Sequence, residues 1–178
     1  RTIEDLVKED QYLASVGVKE IMLIAQELTY YGLDIYKKRA LSDLLKELDK
    51  VEGIEWIRLH YAYPSKFPLD VIETIRDSKH ICHYLDMPLQ HASNNMLKAM
   101  NRQITLEETK ELITNIRNII PDITLRTTML VGFPGETEED IDALCAFVEW
   151  AKFDRLGVFT YSHEEGTSGY ALNDDISA

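Results

Sequence analysis

The sequence predicts an α/β fold built on a parallel sheet, and three observations carry that prediction. Short, bulky apolar runs alternate with amphipathic helical stretches along most of the chain. The apolar runs lack the alternation of a half-buried strand, as expected of strands covered on both faces. The connections between successive runs are long enough for helical crossovers, which join parallel strands with right-handed geometry. Five βα-type repeats in 178 residues fit either an open doubly wound sheet or part of a (β/α) barrel. A complete eight-stranded barrel takes about 250 residues. No internal repeat, linker or low-complexity stretch interrupts the pattern, so a single domain over 1–178 is expected.

Residues 2–16 read as a helix. Ile3, Leu6, Val7 and Leu13 share a face, Thr2 caps the start and Gly17 follows the end. Lys19–Ala25 is the first strand. Residues 40–50 form a helix with Leu41, Leu44, Leu45 and Leu48 on one side, and Glu55–Tyr61 is the second strand. A helix over 69–77 precedes a third strand, His83–Pro88. Thr105–Glu108 has the spacing of a capping box and opens a helix that Pro121 stops. Ile123–Val131 is the fourth strand. Thr137–Asp140 caps another helix, with Ile141, Leu144, Cys145, Val148 and Ala151 on its apolar stripe. Arg155–Tyr161 is the fifth strand, and a polar, irregular tail runs on from Ser162.

Composition narrows the function classes. The net charge of −12 repels phosphate, so direct nucleic-acid binding by this segment is disfavoured and a basic protein partner is favoured; solubility alone also accounts for such a surface. No apolar run approaches the ~20 residues of a membrane span, no signal peptide opens the chain, and a cytoplasmic setting is expected. Arg1 leads straight into a helix start, which reads as an internal beginning. Cys82 and Cys145 are far apart in sequence and lack CxxC or CxxxC spacing. Cys145 reads as a core thiol. Two isolated thiols do not make the ligand set of an iron–sulfur cluster, so no bound metal is expected here.

In both candidate architectures ligands bind beyond the carboxyl ends of the strands. All five ends are polar: Gln26-Glu27 after the first, His60-Tyr61-Ala62-Tyr63 after the second and Gln90-His91-Ala92-Ser93 after the third. Gly132-Phe133-Pro134-Gly135-Glu136 follows the fourth, and Ser162-His163-Glu164-Glu165 the fifth. The GFPG turn has no GK[ST] and is not a phosphate-binding P-loop. His60, His91 and His163 sit on separate loops without ligand spacing. Glu136 reads by default as a helix-dipole residue. Arg126, inside an apolar strand, calls for a carboxylate partner from the protein or a ligand. Tyr61, Tyr63, Phe133 and Tyr161 are core residues or walls for a purine.

These strand ends, in this order, resemble the core of the radical S-adenosylmethionine (SAM) methylthiotransferases. The matching runs are GVKEIMLIAQELTYYGLD, WIRLHYAYP, YLDMPLQHASNNMLKAMNR, LRTTMLVGFPGETEED and FDRLGVFTYSHEEGT. The last run, without a Pro-Gly-Thr ending, looks like the branch that modifies an aspartate of a ribosomal protein. The resemblance implies five parallel strands of an open six-stranded barrel, with SAM across their carboxyl ends. It further implies a first strand and CxxxCxxC loop, absent here, that hold a [4Fe–4S] cluster, and missing flanking domains. The reaction it implies begins with reductive cleavage of SAM. Hydrogen is then removed from the aspartate β-carbon, and sulfur and methyl are attached.

Carried over by position, the resemblance places Gln26 and Glu27 at the methionine amino group, and Gln90 and Ser93 at the ribose or methionine carboxylate. It places Arg126 in charge pairing with the carboxylate, Val131 and Gly132 along the adenine, and Tyr161 flanking it. A fragment without the cluster loop is expected to be inactive, with no cluster bound. A small-subunit ribosomal protein and a reductant are the implied partners of the parent. The competing readings are the tRNA-modifying branch and a non-catalytic barrel scaffold. An ordinary barrel hydrolase or aldolase is weaker, because no Lys or carboxylate pair stands out at the strand ends.

Overall fold

The computed structural model describes residues 1–172; residues 173–178 of the expected polar tail lie outside them. The chain runs α1 (Ile3–Ser15), β1 (Glu20–Leu23), α2 (Leu41–Leu48), β2 (Trp56–Leu59) and α3 (Leu69–Asp77). It continues through β3 (Ile81–Asp86), α4 (Asn94–Ala99), α5 (Leu106–Ile119), β4 (Thr124–Val131), α6 (Glu138–Ala151) and β5 (Arg155–Thr160). Short 3-10 turns lie at Leu28–Tyr30 and Ser168–Ala171. All four strand pairings are parallel, and the sheet order is β1-β2-β3-β4-β5.

That order decides between the two architectures. A doubly wound sheet reverses its strand order at a switch point and carries helices on both faces. A sequential order with right-handed crossovers puts every helix on one face and curls the sheet into an arc of a barrel. The residues agree. Ile57, Leu59, Leu85, Leu125 and Met129 point from the strands into the helix layer and are buried. There they meet Leu41, Leu44, Leu45 and Leu48 of α2, Val71, Ile72 and Ile75 of α3, Ile113 and Ile116 of α5, and Leu144 and Phe147 of α6.

Local signals set the helix starts. Thr2 accepts from the Asp5 N–H at 3.2 Å. Thr105 with Glu108 and Thr137 with Asp140 both form complete capping boxes, satisfying donors that a helix start leaves open. Three expectations need correction. The third strand lies two residues earlier than expected, so Cys82 is within it. Pairing nonetheless continues past Pro88, because Gln90 bridges to Met129 and donates to the Thr128 carbonyl at 2.9 Å. The six-residue helix α4 went unexpected, since Asn94-Asn95 is a poor helix start and only Met96 and Leu97 are buried. Cys145 is exposed rather than core; the stripe of α6 that packs inward is the one through Asp140, Leu144, Phe147 and Ala151.

Asp10 is an anomaly of the outer layer. It is 2% exposed, neither carboxylate oxygen has a partner, and burial, reinforced by neighbouring Glu9, pushes its pKa up to about 6. Because the folded pKa lies above the unfolded one, stability falls as pH rises from about 4 through 6. Asp10→Asn should therefore stabilise the chain by about 1–2 kcal/mol at pH 7.5 and leave it unchanged at pH 4. Urea melts at the two pH values check this; equal effects at both would refute it.

Among the described residues both sheet edges are open: β1 pairs only with β2 there, and Met22 and Ile24 are exposed beside its unpaired backbone. Such an edge recruits other chains, so the chain should self-associate through Ile21–Ile24, and Ile24→Lys should suppress the association. Light scattering that shows a monomer at high concentration would count against it.

Candidate functional site

Because the helices occupy one face, the other face of the sheet and the strand ends remain for chemistry. Two adjoining cavities lie at the carboxyl ends. One of about 630 Å³ is lined by Gln90, Asn101, Arg102, Leu130, Phe133 and Tyr161, among others. A smaller one of about 160 Å³ joins Gln26, Tyr61, Tyr63, Pro88, Gln90 and Arg102. Gln90 and Arg102 belong to both, so the cavities form one groove from the end of β1 to the end of β5.

Backbone geometry shapes the rim. Tyr61 and Gln90 adopt left-handed conformations, with φ of 59° and 73°. Non-glycine residues rarely do so, and the conformation persists where the surroundings over-determine it. Gln90 is held by backbone bonds on both sides, to the Thr128 carbonyl and from the Leu130 N–H at 2.7 Å. At the next rim position, Gly132 has φ 77°, and a Cβ there would meet nothing within 4 Å. Open space stands above it.

A buried clamp ties the β3 and β4 loops together. The His91 ring accepts at Nδ1 from the N–H groups of Ala92 and Ser93, both at 2.9 Å. Its proton therefore sits on Nε2, which donates to Glu136 Oε1 at 3.0 Å. The other oxygen of Glu136 accepts from the Gly132 N–H at 2.7 Å. Ser93 donates its hydroxyl to Asp140, whose other oxygen completes the α6 cap. Glu136 thus bridges two loops, a role the helix-dipole reading missed. Burial holds the His91 pKa below the ordinary histidine value, against the pull of Glu136.

On the inner face, His60 just past the end of β2, Asp86 of β3 and Arg126 of β4 come together. The Asp86 carboxylate, 1% exposed, accepts from Arg126 at 2.8 Å, with His60 Nδ1 at 3.3 Å from the same oxygen. The carboxylate partner that Arg126 calls for is supplied by the protein, and the arginine side chain remains 40% exposed.

The eight expected site residues fall into three groups. Gln26, Gln90 and Tyr161 line the groove. Val131 and Gly132 are not among the residues that line it: Val131 packs against the core and its carbonyl accepts from the Tyr161 N–H at 2.8 Å, while the Gly132 N–H is taken by Glu136. Glu27 caps the 3-10 turn through the Thr29 N–H and hydroxyl, Ser93 is committed to Asp140, and Arg126 to Asp86. Of the aromatic residues, Phe133 and Tyr161 pack edge to face at 5.0 Å and wall one end.

Sequence reasoning passed over Arg102. Its guanidinium lies 4.5 Å over the Tyr63 ring and donates to the Pro88 carbonyl at 2.6 Å. Its Nε is buried without a partner, and no ion pair is formed by it among the described residues. Burial lowers its pKa. The signal was present in the MNR run that follows α4, but only the fold brings that run to the groove. Apart from Asp10, every orphaned buried side-chain atom among the described residues is at the strand ends or inner face: Asp86 Oδ1, Arg102 Nε, Tyr161 Oη and His163 Nδ1. Native interiors leave few such atoms, and each asks for a ligand or a water.

A groove of this kind, on a sequentially ordered arc of parallel strands, defines the class. The family model of the radical SAM superfamily matches residues 1–148, and the chain belongs to that superfamily. Its sequence is 61% identical over 174 residues to the ribosomal protein uS12 methylthiotransferase RimO of Cytophaga hutchinsonii, covering 98% of this chain and 40% of that protein. It is 57% identical to the RimO of Flavobacterium psychrophilum, covering 99% and 41%. The chain thus spans about two fifths of the length of these relatives. Among solved structures, coproporphyrinogen III oxidase HemN of Escherichia coli aligns with a TM-score of 0.74 at 20% identity, over 99% of this chain and 41% of that one. The methyltransferase TsrM of Kitasatospora setae aligns at 0.70 and 20%, over 90% and 31%. These two matches speak to fold alone.

The superfamily implies SAM and an iron–sulfur cluster. The groove fits SAM: it has an aromatic wall in Phe133 and Tyr161 and unpaired buried polar atoms on Arg102 and Tyr161. The thiols do not fit a cluster. Cys82 is on β3 and Cys145 on the outside of α6, and no three His, Cys, Asp or Glu side chains converge among the described residues.

The clamp yields a prediction. His91 has a depressed folded pKa, so its contribution is fully present above the unfolded value of about 6.5 and is lost as pH falls. His91→Ala should cost about 2–3 kcal/mol, by orphaning two N–H groups and Glu136. Its deficit against the parent chain should shrink below pH 6 in denaturant melts. A deficit independent of pH would show that the ring is not neutral in the clamp.

Proposed function

We propose that the protein carrying this chain is a radical SAM methylthiotransferase that modifies a ribosomal protein, with the present residues forming most of its SAM-binding wall. The observation that carries the reading is the groove at the strand ends, to whose lining Arg102 and Tyr161 each bring a buried polar atom without a partner. The relatives at 57–61% identity are named for action on ribosomal protein uS12, which favours a protein over a tRNA substrate. The net charge of −12 suits a basic protein partner. The substrate group is the β-carbon of an aspartate, as the family resemblance implies. Cluster ligands come from residues outside this chain, and a reductant and a cytoplasmic setting belong to the same reading.

When bound, SAM supplies hydrogen-abstraction chemistry and a methyl group; the chain's own residues bind, orient and exclude water. Gln26 and the turn capped by Glu27 face the amino group, and Gln90 the ribose. The edges of Val131 and Gly132, with Phe133 and Tyr161, border the adenine. Ser93 acts through the loop it ties to α6. Two guanidiniums compete for the methionine carboxylate. Arg126 already pairs with Asp86, whereas Arg102 carries buried charge without an ionic partner and lines both halves of the groove. We therefore assign the carboxylate to Arg102.

Arg102→Gln should weaken SAM binding about tenfold or more, the loss expected for one charge-assisted contact. Arg126→Gln should change it far less. Calorimetric titration of each variant decides the matter. Full affinity in Arg102→Gln with loss in Arg126→Gln would reverse the assignment, and saturation by neither variant nor parent would sink the SAM reading for this chain.

A further inference from the structure

The inner face of the sheet carries the opposite charge bias to the chain as a whole. Along it stand Glu20, Arg58, Asp86, Arg126 and Arg155, against a net charge of −12. Two of the three arginines are neutralised: Arg58 by Glu20, and Arg126 by Asp86. Arg155 is not. Among the described residues it has no carboxylate partner, and its guanidinium donates only to the neighbouring Asp154 carbonyl at 3.2 Å.

The register puts Arg155 directly beside Arg126. Asp86 pairs with Arg126 on β4, and Arg126 pairs with Arg155 on β5. Neighbouring strands are about 4.8 Å apart, so the two guanidinium stems leave the sheet side by side. Asp86 already balances Arg126, so the pair keeps one uncompensated positive charge, on Arg155, which an anion would balance. Tyr84, on the same face of β3, adds a phenol that feels Asp86, Arg126 and Arg155 together, and burial keeps it protonated and so a donor.

We propose that Arg155 and Arg126, with Tyr84, form a carboxylate-binding site on the inner face that receives the acidic side chain to be modified. The inference rests on the reading above that the substrate group is a protein aspartate. Arginine suits the task because its planar fork takes a carboxylate with two parallel bonds and so fixes orientation as well as position. The site is separate from the SAM carboxylate. Arg126 precedes Met129, where Gln90 bridges the rim, by three residues, or about 10 Å along the strand. A carboxylate held at the tips of the arginines lies beneath the groove, with its β-carbon turned toward the groove floor. Asp86 keeps the arrangement in order: it fixes Arg126 and cancels one charge, so that the pair carries a net +1 that matches a single carboxylate.

The test uses the 178-residue chain and two neutral-backbone probes, N-acetyl-aspartate N-methylamide and its asparagine analogue. Nuclear magnetic resonance follows the arginine Nε–H signals during titration. The aspartate probe should move the Arg126 and Arg155 signals saturably, and the asparagine probe should bind about tenfold or more weakly. Arg155→Gln should weaken the aspartate probe by about the same factor, Arg155→Lys should fall between, and SAM affinity should stay within about twofold in both. Arg155 is exposed on an edge strand, so these variants keep the fold, which circular dichroism checks. Equal affinity for the two probes, no saturable shift, or no effect of Arg155→Gln would overturn the proposal. Aspartate binding in a chain that does not bind SAM would instead sink the cofactor reading and leave this site standing.

Discussion

A parallel sheet in which every crossover returns on the same side has one face that proteins can fill with helices and one that they cannot. Everything else in this structure depends on that sidedness. On the helix side the strands supply Ile57, Leu59, Leu85, Leu125 and Met129, and the core closes over them. On the other side the same strands supply Arg58, His60, Tyr84, Asp86, Arg126 and Arg155, interspersed with the exposed Met22, Trp56 and Phe159. The polar inner face is not a failure to make a core. Burying apolar groups there would not be rewarded while no layer covers them, whereas polar groups that satisfy one another, as Asp86 does with His60 and Arg126, are tolerated in a half-open space.

The rim needs a different kind of support, because loops at strand ends have few ladder bonds of their own. The clamp through His91, Glu136 and Gly132 provides it, joined by Ser93 and Asp140. Its order follows from protonation. Two backbone donors fix the unprotonated nitrogen of His91, which fixes the direction in which the ring can donate, which in turn leaves the second oxygen of Glu136 for Gly132. A loop whose backbone must leave open space above a glycine is thereby held by side chains from beneath. Functional residues on loops perform best when the loop is anchored in this way.

The strands and helices were legible because their signals are local. Bulky apolar runs and capping boxes made of Thr105 with Glu108 and Thr137 with Asp140 act within a few residues. The choice between doubly wound sheet and barrel arc was not local, since strand order is a property of the whole sheet. The site was legible at the level of which loops converge. Its chemistry was less so. The pairing of Arg126 with Asp86, forty residues earlier, and the orphaning of Arg102 depend on distances that only the fold sets. Cys145 shows the same limit from the other side: helical spacing placed it on an apolar stripe, but the neighbouring stripe is the one that faces the core.

The charge distribution completes the argument. An acidic exterior and a locally cationic inner face are not in conflict, because they act at different ranges. The summed charge of the exterior biases which partners approach, an effect that salt weakens beyond about 10 Å. Charges within hydrogen-bonding reach govern what is held once a partner arrives. On the proposed reading, the acidic exterior and the guanidinium pair of the inner face together would favour a substrate that is basic as a whole and acidic at one residue. Neither feature alone would make that selection: the exterior cannot single out a side chain, and an accessible arginine pair in a basic protein would draw any polyanion.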